Sequence, residues 1–297
     1  MIKKRSSQRR LVELVLSQKN QSPAASVLWA RLLEEQGVAL FDIIETREDT
    51  AVRVSTYCSS LVRARRLQKN LQNLSLKKMA VDIRTLYPTQ WRDKWKKDFK
   101  PFALTPRLDI VPVWRKKEYH ATSRTPILLD TVTAFGTGLH ETTRFLSQLI
   151  ESCRGKFKTF LDVGTGTGIL TMVAVHNGAS VLWAIDNDRS CIPVARANLH
   201  RNGIRPRVLR RIDVQKFLPP APFDFVVANL TSADLIRCKR KLISLVRSGG
   251  YLACSGISLE NFARLQKSFR VGSLSCRKIL RGKAWVAVLY QRKANSG

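Results

Sequence analysis

The sequence predicts an α/β protein in which a small α+β domain and a linker precede a larger, doubly wound parallel sheet. The chain has 297 residues, more than one hydrophobic core usually fills, and its 44% apolar and 25% charged residues are typical of globular proteins. The first 86 residues have the predicted order strand, helix, strand, strand, helix, strand. From about residue 108 onward, short apolar strands alternate with helices, as in a parallel sheet covered on both faces.

The first predicted domain covers residues 1–87. Ser22 and Pro23 are typical of a helix start, and Gly37 of a helix end. A second helix starts at Ser60 and places leucines on one stripe. The predicted strands are 11–16, 39–46, 50–57 and 79–86, with a hairpin turn at 47–49. This order predicts a ferredoxin-like α+β sandwich with a four-stranded antiparallel sheet.

Residues 88–107 are predicted to form a linker that carries one short helix. Prolines stand at positions 88, 101 and 106 and interrupt regular structure there. Between them, Trp91, Trp95 and Phe99 recur at four-residue spacing, which is typical of the packed side of a helix.

The second predicted domain covers residues 108–297. Its strands are predicted at 159–163, 181–185, 223–228, 250–255 and 284–290, and its helices at 169–177, 189–201 and 232–247. Such a sheet binds its ligand beyond the carboxyl ends of the strands. The residues that follow these strands are therefore the first candidates for chemistry.

The charge of the chain predicts a polyanionic partner. Lys and Arg number 52 against 22 Asp and Glu, a formal net charge of +30. This excess favours contact with nucleic acid or a ribonucleoprotein particle, and a general basic bias of the source proteome is the alternative. The six cysteines form no CxxC pair and the four histidines no HxxxH pair, so we expect no metal site and no disulfide framework.

No targeting or membrane segment is expected. The apolar run at 11–16 contains Glu13 and is too short for a signal peptide. The run at 169–185 is interrupted by polar residues and does not reach the length of a membrane span. We therefore expect a cytoplasmic protein without a membrane partner, and a monomer.

Glycines follow the strand at 159–163 at every second position. Gly164, Gly166 and Gly168 permit a tight turn and leave room for a ligand against the backbone. Asp162 precedes the first glycine by two residues, and the third glycine of the dinucleotide pattern GxGxxG is absent. This form resembles the turn of class I S-adenosylmethionine-dependent methyltransferases, and a dehydrogenase is the less favoured alternative.

Polar residues follow three further strands. Asp186 can accept hydrogen bonds from both ribose hydroxyls of an adenosine, whereas Asp188 is better explained as a helix-capping acid. Asp213 is a candidate for the adenine amino group, with a turn acid as the alternative. Asn229 would place an uncharged carbonyl oxygen near a reactive methyl group, with a turn or capping residue as the alternative.

The segment at 130–144 is predicted to be a flexible loop over the site. It contains two glycines and small hydroxyl residues, and Thr142 or Thr143 is predicted to open the helix that follows. His140 could relay a proton, although a lone histidine in a loop is more often a packing residue.

Several motifs in one order resemble the family of ribosomal protein L11 methyltransferases called PrmA. They are the string AFGTGLHETT, the strand LDVGTGTGIL, the acid Asp186, the segment VVANL and Ser255-Gly256-Ile257. The resemblance implies a Rossmann-like methyltransferase domain behind a small substrate-recognition domain, and S-adenosylmethionine as cofactor. It implies cofactor contacts from Thr143, Gly164, Asp186 and Asn229, and we add Phe135, Gly166 and Asp213 as candidates.

The resemblance also implies the reaction: methylation of lysine or N-terminal amino groups of a large-subunit ribosomal protein. Asn229 and the backbone carbonyl of Leu230 are predicted to orient the neutral amine, without a metal. The chain departs from the family pattern at 131–133, at Thr165 and Thr167, and at 230–232. These departures leave two alternatives open: ribosomal RNA or another protein as acceptor, and a ribosome-binding factor without turnover.

Overall fold

A computed structural model describes residues 11–19, 29, 32–33, 36, 38, 43–48, 51–58, 61–73, 80–86, 99–131 and 137–294. The chain divides into two units, Met1–Phe99 and Lys100–Gly297. Within the described ranges, no helix is long and apolar enough to cross a lipid bilayer.

The first unit contains the predicted four-stranded antiparallel sheet. Its elements are β1 (Leu11–Lys19), β2 (Ile43–Glu48), β3 (Ala51–Cys58), helix α1 (Leu61–Asn73) and β4 (Ala80–Leu86). The strand order is β2-β3-β1-β4, with every neighbouring pair antiparallel. Glu48 pairs with Ala51, so β2 extends two residues past the predicted end at Thr46.

Helix α1 is amphipathic. Ala64, Leu67 and Leu71 are buried because they recur at three- and four-residue spacing on one face. The same residues belong to an apolar cluster with Trp29 and Leu33, which are helical. This cluster is the core of the first unit.

The second unit is built on a seven-stranded sheet of order β10-β9-β8-β11-β12-β14-β13. Its strands are β8 (Thr159–Val163), β9 (Val181–Asp186), β10 (Val208–Arg211), β11 (Phe223–Asn229), β12 (Val246–Ser258), β13 (Leu274–Arg281) and β14 (Trp285–Arg292). The five from β8 to β12 are parallel, and β14 runs antiparallel to both of its neighbours. This is the predicted doubly wound Rossmann-like sheet.

Five α-helices accompany this sheet: α2 (Glu141–Ser152), α3 (Ile169–His176), α4 (Cys191–Arg201), α5 (Ser232–Ser244) and α6 (Leu259–Phe269). A smaller sheet joins β5 (Phe102–Ala103), β6 (Leu108–Pro112) and β7 (Thr125–Leu129). Strand β5 lies inside the segment predicted as a linker. The role and the exact limits predicted for the linker stay predictions, and Trp91 and Trp95 lie outside the described residues.

The chain order reverses at the centre of the large sheet. The chain runs outward from β8 through β9 to β10 and then crosses back to β11, which pairs with β8 on its other side. Phe160 of β8 and Phe225 of β11 are fully buried and stack with ring centroids 5.5 Å apart. The packed aromatic pair fixes the two strands whose carboxyl ends border the ligand crevice typical of such sheets.

Some predicted boundaries were wrong and some elements were not predicted. Helix α5 ends at Ser244, not at residue 247, and β12 begins at Val246. Strand β13 was missed because it is an edge strand whose middle residues 276–278 are exposed, so it lacks an apolar run. Helix α6 was also missed, although Ser258 caps it by accepting from the Asn261 N–H.

Candidate functional site

The glycine turn lies between β8 and α3, at the reversal of strand order. Gly164, Gly166 and Gly168 have φ angles of 78°, 54° and 83°, in the left-handed region that favours glycine. The backbone N–H groups of Gly164 and Thr165 donate to the Ile185 carbonyl at 2.9 and 3.1 Å. Glycine is therefore required for the path of the chain as well as for space.

The turn has open space on one side. A Cβ built on Gly166 meets no heavy atom within 4 Å, whereas one on Gly164 would lie 2.9 Å from the Leu230 Cδ2. A ligand can therefore approach the backbone at Gly166, and the Leu230 side chain borders that approach.

Asp186, at the end of β9, is tied to the turn. Its Oδ2 accepts from the Gly166 N–H at 2.9 Å, and its Oδ1 accepts from the Asp188 N–H at 2.9 Å. Burial raises the pKa of Asp186, while these two hydrogen bonds oppose the increase. A carboxylate has about four lone-pair sites, so both oxygens can still accept hydrogen bonds from a ligand.

Asp162 supports the turn from inside the protein. It is fully buried, and its Oδ2 accepts from the hydroxyls of Thr165 and Thr171, each at 2.8 Å. Its Oδ1 has no hydrogen-bond partner among the described residues. Burial raises the pKa of Asp162 to about 6, and the two threonine hydroxyls lower it.

A crevice with an empty volume of about 390 Å³ opens beside the turn. It brings together three of the predicted residues, Gly164, Asp186 and Asp213. Asp213 also caps a short 3-10 helix (Val214–Lys216) by accepting from the Gln215 N–H at 2.8 Å. The remaining lining residues are Val163, Ile185, Asn187, Ile212, Val214, Leu230, Asp234, Arg237 and Cys238.

Asn229 ends β11, the strand next to β8. Its half-buried side chain makes no hydrogen bond with any residue that the structure describes. The alternative that Asn229 caps the next helix is wrong, because Thr231 is the N-cap of α5 and accepts from the Asp234 N–H at 3.2 Å. The amide of Asn229 is thus available to a ligand.

The Leu230 carbonyl lies against the backbone of β12, and the prediction that it orients an amine stays a prediction. A Cβ built on Gly256 would lie 2.1 Å from the Leu230 oxygen, so this carbonyl faces the Gly256 backbone. The Leu230 N–H donates to the Ser255 carbonyl at 3.1 Å. Both polar backbone groups of Leu230 are therefore directed at the segment 255–256, and Gly256 is required for their close approach.

The N-terminus of α2 differs from the sequence-based expectation. Neither Thr142 nor Thr143 is the N-cap, because His140 takes that place and its Nδ1 accepts from the Thr142 N–H at 3.4 Å. The His140 ring also contacts the ring of Trp285 edge-on, with centroids 5.0 Å apart. Burial lowers the pKa of His140, and the adjacent Glu141 opposes this.

The remaining predicted residues have different positions. Thr143 is buried in the first turn of α2, and neither it nor His140 lines the crevice. Gly166 does not line the crevice, but its N–H donates to the carboxylate of Asp186, which does. Phe135 lies outside the described residues. Among those that are described, no three His, Cys, Asp or Glu side chains are grouped closely enough to hold a metal ion.

Sequence reasoning missed one buried residue beside the turn, Asn198 of α4. Its side-chain amide donates to the carbonyl of Thr167 in the glycine turn at 3.1 Å. Asparagine is unfavourable inside helices, since its side chain competes for backbone hydrogen bonds. An asparagine within the periodic segment 191–201 was therefore the signal available in the sequence.

Comparisons with known proteins agree with this geometry. The family model described as ribosomal protein L11 methyltransferase (PrmA) matches residues 2–293. A relative of that name from Pelobacter propionicus is 36% identical over 219 residues, 72% of this chain and 70% of the relative. Another, from Geobacter metallireducens, is 34% identical over 211 residues, 70% of this chain and 68% of the relative.

A solved structure is also similar. The crystal structure of a ribosomal protein L11 methylase from Lactobacillus delbrueckii subsp. bulgaricus superimposes with a TM-score of 0.60 at 29% sequence identity. The superposition covers 66% of this chain and 100% of that chain.

Proposed function

The chain belongs to the ribosomal protein L11 methyltransferase (PrmA) family, and on that premise we propose that it is an S-adenosylmethionine-dependent methyltransferase of ribosomal protein L11. One observation carries the proposal: a glycine turn at the reversal of strand order, open at Gly166 and hydrogen-bonded to Asp186. Turns of this kind at the carboxyl ends of parallel strands bind nucleotide-like ligands.

The residues of the crevice fit this cofactor. Asp186 can accept from the ribose hydroxyls, and Asp213 offers a carboxylate to an adenine amino group. The open space at Gly166 accommodates the part of a ligand that lies against the backbone. Thr143 and Phe135 are proposed as further contacts, on the resemblance of the segment 134–143 to the family.

The cofactor supplies an electrophilic methyl group on a sulfonium when it is bound. A lysine amine has a pKa of about 10.4 in water and reacts only as the neutral form. The protein must therefore desolvate the amine and orient its lone pair. Asn229 is proposed for this task, because its amide oxygen can accept an amine proton without adding charge.

The proposed mechanism passes no proton through His140. The Nδ1 atom lies 2.8 Å from the Thr142 hydroxyl oxygen and 3.4 Å from the Thr142 backbone nitrogen, so the ring is held at the start of α2 in either neutral tautomer. A catalytic role for His140 stays a prediction, and its contacts with Thr142 and Trp285 explain its presence structurally.

The experiment that tests the proposal is methylation of recombinant L11 with methyl-labelled S-adenosylmethionine. We expect intact mass spectrometry of L11 to show gains in multiples of one methyl group, on lysine side chains or the N-terminal amine. If label on intact ribosomal subunits is released by RNase and not by protease, the acceptor is RNA and the L11 proposal is wrong. Cofactor binding without any transfer would instead support a non-catalytic factor.

We further propose that the basic surface contacts ribosomal RNA and that the protein acts as a cytoplasmic monomer. Residues 201–212 contain five arginines and no acidic residue. Four of them are exposed beside edge strand β10: Arg205, Arg207, Arg210 and Arg211. Exposed arginines along one edge can neutralise several phosphates, which makes RNA binding depend on salt.

The RNA contact can be tested with two double variants of equal charge change. We expect R205E/R207E to weaken binding to large-subunit ribosomal RNA and to reduce its salt dependence, and R264E/K267E on helix α6 to have a smaller effect. Equal effects of the two variants would indicate attraction by net charge alone. Sedimentation equilibrium tests the monomer.

A further inference from the structure

The side chain of Asn198 joins two segments of the second unit that are distant in sequence. The residue is fully buried in α4. Its Oδ1 accepts from the Asp130 N–H at 2.9 Å, and its Nδ2 donates to the Asp130 carbonyl at 3.0 Å and to the Thr167 carbonyl at 3.1 Å. One amide therefore holds both the first residue after β7 and the glycine turn.

Each of the two segments leads to proposed cofactor contacts. Thr167 stands between Gly166 and Gly168, and a Cβ on Gly168 would lie 3.3 Å from the Leu199 Cγ, so α4 packs directly on the turn. Asp130 begins the stretch that ends at Thr143. Asn198 therefore links the turn to Asp130 through the hydrogen bonds of one side chain.

Helix α4 also contains a natural comparison. Asn202, one helical turn later, accepts from the Leu128 N–H at 2.9 Å and donates to the Leu128 carbonyl at 2.7 Å. It binds β7 itself, its Nδ2 also donates to the Met172 Sδ of α3 at 3.2 Å, and it makes no hydrogen bond to residues 164–168 in the described part of the chain. Loss of Asn202 should weaken the docking of β7 and leave the link to the turn intact.

We propose that Asn198 is a positioning residue that fixes the glycine turn relative to Asp130, the residue after β7, and so holds the cofactor pocket in its binding geometry. This inference rests on the proposed function, since it concerns the same cofactor. The physical reason is that the Asn198 amide offers its two N–H groups to the carbonyls of Asp130 and Thr167, and a hydrogen bond of this kind contributes about 1 kcal/mol.

Substitution by aspartate separates this role from simple packing. N198D keeps the size of the side chain and the acceptor for the Asp130 N–H. It replaces the amide donor with an oxygen that faces two carbonyl oxygens, which repel it when the group is charged. Arg201 faces the same group, since its Nη1 donates to the Asn198 Oδ1 at 3.4 Å and its Nη2 pairs with the Asp130 carboxylate at 3.1 Å, so its charge favours the ionised aspartate. Protonation at low pH would return one donor to this position, so binding should partly recover as the pH falls.

The experiment measures S-adenosylhomocysteine binding by calorimetry, together with the free energy of unfolding, for wild type, N198A, N198D and N202A. We expect N198A to weaken binding about tenfold or more, and N202A to change it less than about twofold at a comparable loss of stability. The affinity of N198D, divided by that of wild type at the same pH, should be higher at pH 6 than at pH 8. Equal weakening in N198A and N202A would overturn the inference.

Hydrogen exchange without cofactor gives an independent readout. We expect the Gly166 amide to exchange faster in N198A than in N202A, because the turn loses its link to the helix. Equal exchange of this amide in the two variants would also contradict the inference. If wild type fails to bind S-adenosylhomocysteine, the proposed function fails, and the exchange comparison still decides whether Asn198 fixes the turn.

Discussion

The carboxylate of Asp186 accepts a hydrogen bond from the Gly166 N–H at 2.9 Å, at the one glycine of the turn where a Cβ would meet only open space. The residue proposed to bind the ribose therefore also fixes the backbone against which the cofactor is proposed to lie. Asp186 and Gly166 stand 20 positions apart in the sequence. Because they hold each other in place, substitution of either should weaken cofactor binding.

Removal of the Asp186 carboxylate should abolish cofactor binding. Asp186→Ala loses the ribose acceptor and the acceptor for the Gly166 N–H together, so we expect S-adenosylhomocysteine binding to fall at least about 100-fold. Isothermal calorimetry measures the change. Asp188→Ala is the control, because Asp188 is exposed and accepts only within its own loop from Ser190; unchanged affinity in Asp186→Ala would show that the site is elsewhere.

Alanine at Gly166 should affect binding more than folding. The φ angle of 54° costs an alanine about 1 kcal/mol of stability, and no neighbour obstructs its Cβ. The added methyl group would occupy the space proposed for the cofactor, so affinity should fall by about tenfold or more. Parallel urea unfolding and calorimetry compare the two effects, and a variant that unfolds easily yet binds normally would contradict the prediction.

Alanine at Gly256 should affect folding more than cofactor binding. Its Cβ would lie 2.1 Å from the Leu230 oxygen, and its φ angle is 87°. We expect a loss of about 3 kcal/mol or more in the free energy of unfolding, since two backbones must move apart. Gly203→Ala has a similar positive φ and open space around its Cβ, so it should lose only about 1 kcal/mol; similar losses in both variants would show that the contact is unimportant.

Asn229 should matter for turnover. Asn229→Ala removes the amide proposed to orient the amine, and misplacement of a nucleophile can cost about 100-fold in rate, so kcat should fall by about that factor. Methyl transfer to L11 at saturating substrates gives the value. Thr231→Ala is the matched control, because it removes the N-cap of α5 at a cost of about 1 kcal/mol in stability and should preserve kcat.

Asp162 should make stability depend on pH. Its folded pKa of about 6 lies above the unfolded value of about 3.9, so its contribution is fully present below about pH 4 and is lost as the pH rises through 6. Relative to Asp162→Asn, wild type should lose about 2 kcal/mol between pH 4 and pH 7. Urea unfolding across this range provides the measurement.

Asp224 provides the control for this pH dependence. Burial would raise its pKa, but hydrogen bonds from the Thr159 and Lys158 N–H groups and from Arg247 lower it to about 2. Its contribution is therefore constant above about pH 4 and is lost only as the pH falls toward 2. The stability difference between wild type and Asp224→Asn should stay flat between pH 5 and pH 7; a flat Asp162→Asn comparison would contradict the prediction.

The sequence predicted the fold and part of the site well. Strand β8 was predicted with its observed limits, and Asp186 and Asp213 were predicted on the strand ends that border the crevice. The prediction for the N-cap of α2 was wrong, because a pattern of residue types does not reveal which neighbour accepts a hydrogen bond.

The sequence by itself determined what depends on neighbours along the chain: the alternation of buried strands and helices, the glycines whose positive φ angles form the turn, and the family. These features are local, since strand and helix periods and turn chemistry extend over a few residues. The tertiary structure alone decided the long-range contacts. Gly256 receives the Leu230 carbonyl, and Asn198 reaches Thr167 and Asp130, 31 and 68 positions away. Such contacts exist only after the sheet has assembled and the buried amide must find partners for its hydrogen bonds.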